Sequence, residues 1–230
     1  QKLLLQLEKI MQRLEQAEPV QYVLGTTMFC DKAIHVAPGV LIPRPETEEL
    51  CRWVMETTVG DNPLILDVGT GSGCIAITLA LDLSGAKVTA WDVSTVAINI
   101  AGQNAFRLCA DVNFMLQDAL TPPSDEAKWN VIVSNPPYIC EREKKDMERN
   151  VLDNEPSLAL FVPDSEPLLF YRAIACYACK ALKDNGFLFF EINPLYVDDM
   201  LLMLEEMGYV DLEVRTDQFG KQRFIKAVKI

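Results

Sequence analysis

Eleven residues, LILDVGTGSGC at 64–74, constrain this chain more than any other stretch. A short apolar run, interrupted only by Asp67, passes straight into three alternating glycines and then into CIAITLALDL, which has a helical pattern. Strand, glycine turn and helix in that order open a β-α-β crossover, the connection that parallel strands require. The alternation continues downstream with KVTAWD (87–92), the helical STVAINIAGQNAFRL (94–108), VNFML (112–116), WNVIVSN (129–135), a helix over 166–182, and GFLFFEI (186–192). Strands alternating with helices predict a Rossmann-like, doubly wound α/β fold whose mainly parallel sheet is covered on both faces. GYVDLEVRT and QRFIKAVKI, joined by a turn around DQFGK, predict an antiparallel hairpin at the sheet edge.

A helix and a β-hairpin are expected ahead of this core. Residues 1–17 place apolar residues at helical spacing and stop before Pro19, while TMFC and AIHVAP within 20–42 suggest a hairpin. In LIPRPETEEL, Pro43 and Pro45 are expected to stiffen an extended segment, and Thr47 to cap the helix that follows. The expected organisation is therefore a helix at 1–18, a hairpin linker at 19–45 and a main domain at 46–230. The first residue is Gln1 rather than Met, so the chain reads as trimmed, with more sequence upstream.

Composition removes several function classes. At 230 residues and 50% hydrophobic, the chain can bury one sizeable core. Charges break every long apolar stretch, so a membrane span is not expected, nor is a secretory leader. The seven cysteines, an odd number mostly inside apolar runs, read as buried free thiols of a reducing compartment. Cys176 and Cys179 form a C-x-x-C without a second pair to complete a zinc site, and His35 is the only histidine, which disfavours a Ser-His-Asp triad or a histidine metal centre. A formal charge of −12 argues against a broad nucleic-acid surface.

The glycine loop reads D-x-G-x-G-x-G, from Asp67 through Gly69, Gly71 and Gly73, rather than the dinucleotide fingerprint G-x-G-x-x-G. Glycines at a strand end let the backbone approach a ligand, with helix N-terminal amides facing it. Asp92 closes the next strand, where a carboxylate can accept both hydroxyls of an adenosine ribose. The pattern resembles the S-adenosylmethionine loop of class I methyltransferases, whose leading acid faces the methionine end and whose third strand is followed by an acid near the adenine amine, here Asp118.

The fourth strand ends in SNPPYI (134–139). Pro136 and Pro137 have no N–H, which stiffens the loop and leaves carbonyls untied. The Asn135 side-chain oxygen and the Pro136 carbonyl can then accept both hydrogens of one planar –NH₂ group, with the Tyr138 ring against its face. Such a grip favours pyramidalisation of a delocalised nitrogen, aims its lone pair at a sulfonium methyl and stabilises the charge that develops.

Taken together, IPRPETE (42–48), DVGTGSG (67–73), SNPPYI and EPSLAL (155–160), supported by QYVLG (21–25) and DQFGKQR (217–223), resemble the PrmC/HemK family of protein-glutamine methyltransferases over nearly the whole chain. That resemblance implies a class I S-adenosylmethionine-dependent methyltransferase that modifies the side-chain amide of the GGQ glutamine in class I peptide-chain release factors. By position it makes Asn135, Pro136 and Tyr138 the catalytic group, with Pro137, Arg44 and Glu46 beside the substrate. It sets the cofactor against Asp67, Gly69, Thr70, Gly71, Gly73, Asp92, Val93, Asp118, Ala119 and Asn135. It also implies a monomer of the bacterial cytoplasm (or of an organelle of bacterial descent) without direct nucleic-acid or membrane contact, and makes residues 1–18 the last helix of a helical N-terminal domain. The sequence departs from the family at Asn193, where glycine is common, and in VPDSEPL, both expected to lie away from the amide pocket.

Rival readings use parts of the same pattern. An amino-methylase of adenine or guanine in nucleic acid would present the same –NH₂, but needs a basic groove or a recognition domain. A nicotinamide-dependent oxidoreductase shares the glycine loop and ribose carboxylate, yet leaves NPPY without a task. A cofactor-binding module without catalysis leaves it equally unexplained.

Overall fold

A computed structural model describes residues 2–230. Its chain order starts with α1 (Lys2–Glu15), α2 (Val20–Leu24), the hairpin β1 (Thr26–Phe29) and β2 (Lys32–His35), and α3 (Pro45–Thr57). The alternating core follows as β3 (Leu64–Val68), α4 (Cys74–Asp82), β4 (Lys87–Asp92), α5 (Thr95–Leu108), β5 (Val112–Leu116) and β6 (Trp129–Ser134). Then come β7 (Ile139–Cys140), α6 (Arg149–Asn154), β8 (Phe161–Val162), α7 (Leu169–Ala181), β9 (Leu182–Glu191), α8 (Val197–Glu206), β10 (Tyr209–Thr216) and β11 (Gln222–Lys229).

The main sheet has seven strands in the order β10-β11-β9-β6-β3-β4-β5. Pairs among β9, β6, β3, β4 and β5 are parallel, and β11 runs antiparallel to both of its neighbours. The period of two explains how one sheet feeds two cores. Leu66, Val68, Ile132, Leu188 and Phe190 face the cluster under α7 and α8, while Ile65, Val131, Val133 and Phe189 face the cluster under α3, α4 and α5. The β1–β2 hairpin joins the second cluster through Phe29 and Ile34.

Four local expectations are corrected. Pro45 does not prolong an extended segment; it opens α3 at its first turn, where its fixed φ fits and its missing N–H is not needed. The residue flanking the helix is accordingly Arg44, and Thr47 lies inside the first turn with its hydroxyl turned away from the helix amides. The helix placed at 166–182 starts only at Leu169, after the turn that contains Pro167, and β9 follows at Leu182 rather than at Gly186. Trp53 anchors α3 edge-on to Phe189, ring centroids 5.3 Å apart at 81°. That geometry contributes about 0.5–1.5 kcal/mol beyond the area it buries, and it holds the first turn of α3 over the carboxyl ends of the strands.

Candidate functional site

β3 and β6 are neighbours in register, Ile65 beside Val131 and Val68 beside Ser134. From β3 the connections wind outward to β4 and β5 on one side and to β6 and β9 on the other, which opens a crevice at the strand ends. Ser134 Oγ donates to the Val68 carbonyl at 2.6 Å and ties the two strand ends together. Above them lies a cleft of about 360 Å³, its lining mostly apolar.

The glycine loop forms one wall. Gly69, Gly71 and Gly73 all have positive φ, at 77°, 55° and 84°, but for different reasons. A Cβ at Gly73 would stand 3.0 Å from Ala101 and 3.1 Å from Ile77, so this glycine serves the packing of α4 on α5. At Gly69 and Gly71 a Cβ would meet nothing within 4 Å; these two leave backbone open for a close approach. Gly69 lines the cleft, whereas Gly71 and the buried Thr70 are outside its lining.

Asp92 stitches this wall to the end of β4. Its Oδ2 accepts from the Gly71 amide at 2.9 Å and its Oδ1 from the Ser94 amide at 2.8 Å, and Ser94 caps α5 by accepting from Ala97. Burial raises its carboxyl above the ordinary aspartate value, partly offset by the amides of Ser94, Gly71 and Val93. Asp92, the exposed Val93, Asp118 and Ala119 all reach the cleft. Asp118 turns one oxygen back to the Leu120 amide at 2.8 Å.

Asp67 lies beneath the loop, fully buried. Its Oδ2 accepts from Thr70 Oγ1 at 2.6 Å, and Oδ1 is buried without a partner. Desolvation pushes its carboxyl up to about 7, against the Thr70 hydrogen bond and the nearby Ala76 amide, with Asp92 adding repulsion.

Asn135, Pro136 and Pro137 form the opposite wall. Asn135 Nδ2 donates to Thr47 Oγ1 at 3.2 Å, and among the described residues neither Asn135 Oδ1 nor the Pro136 carbonyl carries a hydrogen bond from the protein. Two acceptors therefore stand together at the strand end. Tyr138 departs from the expectation of a ring walling the pocket. It is absent from the cleft lining, packs against the core under α7 and α8, and sends its hydroxyl to Glu191 Oε1 at 3.0 Å. Burial and the adjacent Glu191 carboxylate raise its phenol well above the usual value.

Arg44 and Glu46 also lie outside the cleft lining. The Arg44 guanidinium is held by Glu155 at 2.6 Å, and the other Glu155 oxygen accepts from the Ile42 amide at 3.0 Å. IPRPETE and EPSLAL are thus one clasp. Asn193 lies outside the cleft lining as well; its Nδ2 donates to the Tyr138 carbonyl at 3.1 Å, where the chain leaving β9 passes the far end of NPPY. The cleft also takes in Pro156 and Leu158 of EPSLAL, and Gly39, Leu41 and Phe170, none of which the sequence named as a site residue. For Gly39 the Pro-Gly pair offered a signal; a Cβ there would collide with Val96 at 2.8 Å.

These residues fit S-adenosylmethionine. Asp67 lies buried beneath the loop with one oxygen unpartnered, Gly69 leaves open space at the cleft wall, Asp92 retains lone pairs beyond its two amide bonds, and the cleft beside it is apolar enough for a purine. Fold and site define a class I S-adenosylmethionine-dependent methyltransferase. The family model described as methyltransferase small domain matches residues 28–156. A release factor glutamine methyltransferase of Bacteroides thetaiotaomicron is 50% identical over 96% of this chain and 80% of its own length, and one of Flavobacterium psychrophilum is 42% identical over 97% and 80%. The chain belongs to the release factor glutamine methyltransferase family. A methyltransferase of Pyrococcus furiosus shares the fold, with a TM-score of 0.62 at 16% identity over 87% of this chain and 90% of that one. Among the described residues no helix is long and apolar enough to cross a membrane.

Proposed function

We propose that this chain transfers a methyl group to the side-chain amide nitrogen of the GGQ glutamine in class I peptide-chain release factors, acting as a monomer in the bacterial cytoplasm without direct nucleic-acid contact. The observation that carries this reading is the pair of unengaged acceptors, Asn135 Oδ1 and the Pro136 carbonyl, at the end of the strand beside the glycine loop. A primary amide has two N–H donors and little lone-pair density on nitrogen. Two fixed acceptors can take both hydrogens, orient the nitrogen toward the glycine-loop side and stabilise the positive charge that appears as the bond forms. The stiffness of Pro136 and Pro137 supplies the preorganisation.

S-adenosylmethionine supplies an electrophilic methyl on a sulfonium. In this reading Asp67, Gly69, Thr70 and Gly71 hold its methionine end, Asp92 the ribose, and Val93, Asp118 and Ala119 the purine, with Gly73 serving the packing beneath. Tyr138, Arg44 and Glu46 shape the acceptor side from behind rather than by contact. We assign residues 1–18 to the end of a helical N-terminal domain, 19–45 to a linker and 46–230 to the catalytic domain. The leucine-rich face of α1 is exposed at Leu3, Leu4 and Leu7, which suits that assignment.

The test is mass spectrometry of a class I release factor after incubation with the protein and S-adenosylmethionine. One added methyl on the GGQ glutamine, lost with Asn135→Ala, is the expected result. Methylation of a nucleic acid instead, with the release factor untouched, would refute it.

A further inference from the structure

The acceptor wall is held from behind by a carboxylate that takes no part in the steps above. Glu191, the last residue of β9, is 2% exposed, and hydroxyls engage both of its oxygens: Thr47 Oγ1 donates to Oε2 at 2.7 Å and Tyr138 Oη to Oε1 at 3.0 Å. Asn135 Nδ2 donates to the same Thr47 Oγ1 at 3.2 Å. Residues 144 positions apart in sequence thus meet behind one loop.

The direction of the protons along this chain matters more than its strength. A threonine hydroxyl has one proton and two lone pairs. An ionised carboxylate can only accept, so Thr47 commits its proton to Glu191 and shows Asn135 only lone pairs. Asn135 must answer with its –NH₂, which turns Oδ1 toward the cleft. Burial raises the Glu191 carboxyl above the ordinary glutamate value; the Thr47 and Tyr138 hydrogen bonds and Arg223 on β11 favour its ionised form, against the nearby Glu46. Arg223 is itself anchored to Asp217 at 3.2 Å, and Tyr171 on α7 donates to the Glu191 carbonyl at 3.1 Å.

We infer that Glu191, acting through Thr47, is the positioning residue that fixes the Asn135 side chain with its oxygen toward the acceptor, and so makes the site take a planar –NH₂ group rather than a hydrogen-bond acceptor. This rests on the amide-methylation reading. With the relay reversed, Thr47 would donate to Asn135 Oδ1, and the cleft would present a donor to a donor.

The test compares Thr47→Val, Thr47→Ser and Glu191→Gln in the full chain by two readouts. The first is the ¹⁵N-resolved side-chain amide of Asn135, assigned by its disappearance in Asn135→Asp, and it needs no turnover. The second is kcat and KM for a class I release factor, beside the dissociation constant for S-adenosylmethionine. Thr47→Val keeps the shape and removes the relay. It should move the Asn135 amide resonances and lower kcat by roughly 10- to 100-fold, as loss of preorganised polar groups does, with cofactor affinity changed less than about twofold. Thr47→Ser, which keeps the hydroxyl, should recover most of kcat and the wild-type resonances. Glu191→Gln should follow Thr47→Val; if its melt shows that it does not fold, the two Thr47 variants decide. Unmoved Asn135 resonances in Thr47→Val, or equal losses in Thr47→Ser and Thr47→Val, would overturn the inference. If the wild type leaves the release factor unmodified, the functional reading fails, and the resonances still decide the relay.

Discussion

Cofactor affinity should rise steeply with pH between 5.5 and 7.0, and Asp67 should be the reason. Its carboxyl is buried, with one oxygen lacking any partner, and it titrates near 7 instead of in the ordinary aspartate range. If the cationic methionine amine of the cofactor approaches this oxygen, only the ionised form binds well. The apparent dissociation constant then scales as one plus the ratio of protonated to ionised Asp67. For a pKa of about 7 that factor is roughly 33 at pH 5.5 and about 2 at pH 7.0, a change of about 15-fold. The α-amino group of the ligand, with an ordinary pKa of about 7.7–8.0, stays mostly protonated over this range. Calorimetry at four pH values, in two buffers of different ionisation enthalpy, reads both the slope and the proton release, about half a proton per cofactor at pH 7.0. Asp67→Asn should bind weakly with most of the slope gone. A wild-type change under about threefold would refute the argument. A full slope in Asp67→Asn would move the titration to Asp92, whose carboxyl is also raised.

Further outcomes follow from the same geometry. Asp67, Asp92 and Glu191 all have raised carboxyls, so between the ordinary carboxylate range and their raised values the folded state holds protons that the unfolded chain has released, while above those values all three are ionised. Stability of the cofactor-free protein should therefore fall as pH rises from about 4 through about 7, seen as a lower Tm at pH 7.5 than at pH 5.5, with a smaller gap in Asp67→Asn. Gly73→Ala should lower stability by about 1–3 kcal/mol in urea melts, since it adds a clash with Ala101 to an unfavourable φ. Gly71→Ala meets open space and should cost only about 1–2 kcal/mol, while weakening cofactor binding by calorimetry. Glu155→Ala leaves the Ile42 amide and Arg44 without their partner. Allowing for the partial exposure of Arg44, this should cost about 2–3 kcal/mol, with a raised KM for the release factor.

The fold was legible where local pattern and final role coincide. LILDV, WNVIVS and FLFFE are buried on both faces, and their continuous apolar runs announce central parallel strands. The hairpin β10–β11 was equally plain from its turn. Legibility failed where tertiary context decides. VDDMLLMLEE forms α8 because Met200, Met203 and Leu204 find a face of the sheet, and the Asn193 side chain starts the preceding turn by accepting from the Leu195 amide. The short α2 sits in a segment that reads as extended. Pro45 was misplaced by one element because a proline that stiffens a coil also suits the first turn of a helix.

The two halves of the site differ in the same way. The cofactor half is written in consecutive residues, since a turn from β3 into α4 supplies glycines and amides within one loop, and Asp92 joins it from the adjacent strand. The acceptor half is only half written. In the proposed reading NPPY states which atoms meet the substrate, but not what aims them. An asparagine amide is symmetrical in shape and opposite in polarity, so its orientation must come from a neighbour with fixed proton direction. Here that neighbour is Thr47 on α3, itself fixed by Glu191 on β9. No spacing rule links position 47 to position 191, and each residue alone reads as an ordinary helix or strand residue. In this chain the threonine of IPRPETE serves this encounter rather than helix capping. It follows that a chain could keep NPPY intact and still lose its –NH₂ selectivity by one change at either remote position.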